Sequence, residues 1–95
     1  MPRKSTPNID FMTEFVKEFL ENKKERIFFD LDFHYYLKEY FDKMYREFPN
    51  FAEAFYFYIA ENGVDIGDDL PDGEYKKLIR KQFKALLATA KDGLF

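Results

Sequence analysis

Near the start of the chain, apolar residues recur at intervals of three and four: Ile9, Phe11, Met12, Phe15, Val16, Phe19 and Leu20. That spacing gathers them on one stripe of a helix, with Asp10, Glu14, Lys17, Glu18 and Glu21 on the other side. Thr6 before Pro7 suits an N-cap followed by proline in the first helical position, and Asn8 is the alternative cap. The pattern predicts a helix over 7–23.

The period then breaks. Residues 26–31, Arg-Ile-Phe-Phe-Asp-Leu, read as an extended apolar connection pressed onto the core. Asp30 or Asp32 would cap a second helix over 31–48, whose stripe is Phe33, Tyr36, Leu37, Tyr40, Phe41, Met44 and Phe48. Pro49 ends it, because the residue before a proline avoids the α region. Asn50 with Glu53 resembles a capping box for a third helix over 51–62, and Gly63 suits its C-terminal cap. Apolar residues surround this third helix. Phe51, Phe55, Tyr58 and Ile59 face one way, Tyr56 lies to one side and Phe57 points nearly opposite. A helix apolar on every side is expected to be buried on more than one side.

An acidic connection follows, and Asp69 or Asp72 can cap a fourth helix over 70–91. Its stripe is Tyr75, Leu78, Ile79, Phe83, Leu86, Leu87 and Ala90, with Gly93 and Leu94 forming its C-terminal cap. The expectation is an all-α, compact, antiparallel four-helix bundle with an aromatic-rich core. It occupies 1–95 as a single domain, with 1–6 a flexible basic tail.

Composition supports a core large enough for so short a chain. The 13 Phe and 7 Tyr among 95 residues each hide roughly 150–250 Å² when buried. With no cysteine, neither a disulfide framework nor a thiolate zinc site can form. No apolar run approaches the roughly 18 residues of a membrane span. The N-terminal residues lack the apolar segment of a signal peptide. These features point to a cytoplasmic protein. The short chain, opening at Met1 and closing just past a helix cap, reads as a small bacterial or phage protein.

Charge changes the picture more. The net charge is only -3, yet Lys76, Lys77, Arg80, Lys81, Lys84 and Lys91 stand in a segment with no acidic residue, and residues 47–75 hold no basic one. On the fourth helix the basic residues share one arc opposite the apolar stripe. Lys76, Lys77, Arg80, Lys81 and Lys84 are therefore candidates for contact with an anionic partner. Either the acidic segment already neutralises them, or an acidic surface or a second copy does, or nucleic acid does. Nucleic acid is the weaker reading, because residues 5–75 hold 7 basic and 17 acidic side chains, whereas nucleic-acid modules are usually basic overall. The helix after the Pro49 turn has no Lys or Arg to serve as a recognition helix.

Catalytic chemistry finds no support in the sequence. His34 is the only histidine, Ser5 lies in the tail, and no nucleophile–base pair can be assembled; a half-buried structural role suits His34 better. The carboxylates of residues 65–74 fail both calcium-loop registers tested. No catalytic residue, metal ligand or cofactor is expected. Surplus apolar surface at Tyr35, Tyr45, Tyr56 and Phe57 is the remaining candidate, since aromatic residues are enriched at protein interfaces. The sequence therefore reads as a small, non-catalytic protein-interaction or regulatory module, with another protein or a second copy as partner. The alternative is nucleic-acid binding through the basic face of the last helix.

Overall fold

A computed structural model describes residues 5–90. Residues 1–4 of the basic tail lie outside the described residues, as do Lys91 and the Gly93–Leu94 cap. The four-helix architecture is as expected: α1, Pro7–Leu20; α2, Arg26–Glu47; α3, Pro49–Phe55; and α4, Asp72–Thr89. A π-helical stretch, Tyr56–Asp65, continues α3 without a break.

α1 buries Ile9, Met12, Phe15, Val16, Phe19 and Leu20 of the expected stripe, while Phe11 is exposed at its edge, packed on Tyr36 and Tyr40. It ends at Asn22, whose φ of 63° places it in the left-handed region. Asn22 N–H donates to Phe19 O at 3.2 Å, and Lys23 N–H donates to Glu18 O at 2.8 Å. These are the two bonds that close a helix around a left-handed residue, here Asn instead of Gly.

α2 corrects the first expectation. Residues 26–31 are its first turns, not an extended connection. They show no 3.6-residue period because both sides are apolar there: Phe29 and Phe33 are buried, while Ile27, Phe28 and Leu31 are exposed. Asp30 and Asp32 lie inside the helix and cap nothing. The helix stops at Glu47, and Phe48, with φ -149° and ψ 101°, is extended as a residue before proline must be.

Pro49 then begins α3, so Asn50 is a residue within the helix and not its cap. Gly63 is also not a terminator, since the helix runs on to Asp65. In the π-helical stretch hydrogen bonds reach five residues along the chain. Phe55 and Ala60, and likewise Ile59 and Val64, stand five apart, and all four are buried. A Cβ on Gly63 would lie 3.0 Å from Ile79 Cδ1, so the missing side chain lets this stretch approach α4. The burial expected on several sides is incomplete, because Tyr56 and Phe57 are exposed.

The core is one cluster of stacked rings. Phe29 sits between Phe19, at 4.2 Å, and Phe15, at 5.2 Å, and Phe33 stacks on Phe55 at 6.2 Å. From α4, the fully buried Tyr75 closes on Phe19 and Phe29. Among the described residues, no helix is capped at its N-terminus by its own cap residue's side chain. Pro71, not Asp69 or Asp72, occupies the cap position of α4. Remote side chains serve the helix ends instead. Glu47 at the end of α2 accepts from the N–H groups of Asn8 (2.9 Å) and Ile9 (2.8 Å) and from the Asn8 amide. Arg80 donates to Leu20 O at the other end of α1.

Candidate functional site

Running between two environments, α2 is apolar toward both. At about 100° per residue, Ile27, Phe28, Leu31 and Tyr35 occupy one arc, roughly opposite Phe29, Phe33 and Met44. The second set is buried. The first stands 62%, 56%, 65% and 62% exposed. Four large apolar side chains on adjacent turns form a continuous strip on the outside of the bundle. Lys24 and Asp32, 3.9 Å apart, border it near one end, and the exposed Lys38, Glu39 and Asp42 lie beyond Tyr35. His34, beside the strip, is exposed and not half-buried as its position in the sequence suggested.

All four aromatic residues singled out in the sequence are exposed, but they do not form one surface. Tyr35 belongs to the α2 strip. Tyr45 and Tyr56 both pack against Phe41, with ring centroids 6.2 and 5.7 Å from it. Phe57 leans on Tyr58 at 5.1 Å. Sequence reasoning misses Ile27, Phe28 and Leu31 because an apolar run without a 3.6-residue period reads as a connection. The i,i+4 pair of Arg26 and Asp30 was the available signal that helix already begins there.

The basic face of α4 divides by role. Lys76 donates to the Asn22 side chain and lies 4.9 Å from the Phe19 ring centroid. Arg80 donates to Leu20 O at 3.0 Å. Both place positive charge at the carbonyl end of α1, where the helix dipole favours it. Lys77 pairs with Glu74 at 3.8 Å, an exposed contact worth little in water. Lys81 and Lys84 are exposed and make no ion pair among the described residues.

Apart from the exposed Lys77–Glu74 pair, the acidic connection is served within the chain by α2 and not by that basic face. Arg26 donates to the backbone oxygens of Gly67, Asp68 and Leu70, and to the Asp72 carboxylate at 3.0 Å. Its guanidinium carbon lies 4.1 Å from the centroid of the Tyr75 ring. The Tyr75 hydroxyl donates to Asp30 at 2.6 Å, and Asp30 also lies 3.7 Å from Arg26. Burial pushes the Tyr75 phenol well above the usual tyrosine range, and the hydrogen bond to Asp30 adds to the shift.

Beside this cluster a cleft of about 830 Å³ opens between the α1–α2 turn and the start of α4. Its walls carry Lys23, Lys24, Arg26 and Lys76 against Glu25, Asp30, Asp68 and Asp72. The four cations are engaged with Glu21, Asp32, Asp72 and Asn22, so the cleft presents no uniform charge to a ligand. Among the described residues no three His, Asp or Glu side chains converge as metal ligands would. Nor is any described helix long and apolar enough to cross a membrane. Comparison with protein-family models, curated proteins and solved structures finds no match.

Proposed function

We propose that the protein is a small, non-catalytic interaction module that docks a protein partner on the outer strip of α2. The observation behind this reading is the pairing of two apolar faces on one helix, with Ile27, Phe28, Leu31 and Tyr35 on the face the bundle does not cover. With aromatic and large aliphatic side chains of roughly 150–250 Å², four residues exposed by more than half present on the order of 400–500 Å². Patches of this size on monomers are often functional, and interface cores are built from such residues within a polar rim. The charged residues around the strip supply that rim.

A photo-crosslinking residue in place of Phe28, activated in host cells, tests the proposal. A discrete protein adduct that disappears when Leu31→Glu is added supports it. No adduct, or one indifferent to Leu31→Glu, contradicts it.

A further inference from the structure

The outer strip of α2 is self-complementary, and we infer that its occupant is a second copy of this chain, bound antiparallel about a two-fold axis at Leu31. This rests on the strip being a docking surface, and it specifies what docks. Ile27 lies one turn before Leu31 and Tyr35 one turn after it. A two-fold axis through Leu31 therefore sets Leu31 on its counterpart and Ile27 against the other copy's Tyr35 on both sides. Isologous contacts of this kind pair one patch with itself.

Area supports the arrangement. A standard interface buries about 800 Å² per partner, and the four side chains provide roughly half of that as an apolar centre. His34 and the stems of Lys38 and Glu39 flank it and extend the contact.

Charge selects the direction. Parallel pairing would set Lys38 on Lys38, Glu39 on Glu39 and Asp42 on Asp42, three repulsive layers. Antiparallel pairing about Leu31 removes these layers, because the mirrored positions, Lys23 and Lys24, precede α2 and are paired within the chain, Lys23 with Glu21 at 3.4 Å and Lys24 with Asp32 at 3.9 Å.

Sedimentation equilibrium of the full chain, from micromolar to about a hundredfold higher concentration, tests the inference. The wild type is expected to form a monomer–dimer equilibrium. Leu31→Glu should weaken it at least tenfold, with an unchanged helical circular dichroism spectrum. A wild type monomeric throughout, or a dimer indifferent to Leu31→Glu, overturns the inference. A monomer that still yields a Leu31-dependent adduct with another protein from position 28 overturns the second copy and leaves the docking surface standing. A monomer without any such adduct overturns both.

Discussion

The Glu47 carboxylate accepts the Ile9 backbone N–H at 2.8 Å, tying the last residue of α2 to the first turn of α1. Its other oxygen accepts the Asn8 N–H at 2.9 Å and the Asn8 amide. A helix start leaves its first N–H groups without partners, and a negative group there is favoured by the dipole. Here that group comes from a distant helix and is itself buried. Glu47→Ala is expected to lower stability by about 2–4 kcal/mol, since hydrogen bonds to a charged group contribute about 1.5–3 kcal/mol each. The fall should appear in urea titration as a lower midpoint with an unchanged slope.

Arg26 holds the connection into α4 through three backbone oxygens and one carboxylate while covering Tyr75. Lysine keeps the charge but lacks the planar fork that reaches several acceptors at once. Arg26→Lys is therefore expected to cost about 1–3 kcal/mol and to loosen the segment locally. Amide hydrogen exchange should accelerate over residues 66–71 more than in α1. Uniform acceleration across the chain would contradict this local role.

Two glycines separate space from conformation. A Cβ on Gly67 would meet Gly63 O at 2.7 Å, Tyr75 Cδ1 at 2.8 Å and Leu78 Cδ2 at 2.9 Å. Gly67→Ala should destabilise by roughly 1–3 kcal/mol, the usual cost of overfilling a packed site. Gly73, in the first turn of α4, has open space where its Cβ would be. Gly73→Ala should stabilise by about 0.4–1 kcal/mol through the unfolded chain's lost freedom. Thermal unfolding of the two variants should thus move in opposite directions.

Tyr75 gives the fold an alkaline limit. Its phenol ionises above the ordinary tyrosine range when folded, whereas in the unfolded chain it does so near pH ~10. Below that pH both states hold the proton and stability is unaffected by it. Above it the unfolded chain releases the proton that the folded chain keeps, so stability falls as pH rises. Tyr75 should remain neutral until the chain unfolds, as read from the phenolate ultraviolet absorbance of the wild type against Tyr75→Phe. Tyr75→Phe should lose the Asp30 hydrogen bond at neutral pH but show a shallower alkaline decline.

The helices with one apolar stripe were legible in the sequence. α1 and α4 follow their stripes except at Phe11 and Leu87, which are exposed, and Pro49 marks the break between α2 and α3. Where a helix is apolar on two sides, as at Ile27 to Leu31, periodicity vanishes and the helix reads as a loop. The five-residue spacing of Phe55 with Ala60 and of Ile59 with Val64 was invisible to a 3.6-residue reading for a related reason. Caps were misplaced because local Asp and Asn residues were expected to serve helix ends that Glu47, Arg80 and Arg26 serve from far along the chain. The basic face of α4 was correctly placed on one arc, but no spacing rule could show that Lys76 and Arg80 belong to the end of α1. Tyr35 was the only part of the α2 strip that sequence singled out.

Self-pairing through the outer strip of α2 leaves a signature that depends on concentration. Amide chemical shifts followed through a dilution series of the wild-type chain test this most directly. Concentration-dependent shifts are expected at Ile27, Phe28, Leu31 and Tyr35 and at their immediate neighbours, while the buried face at Phe29 and Phe33 changes less. Shifts confined to Lys81 and Lys84 on α4, or none at any concentration, would contradict it.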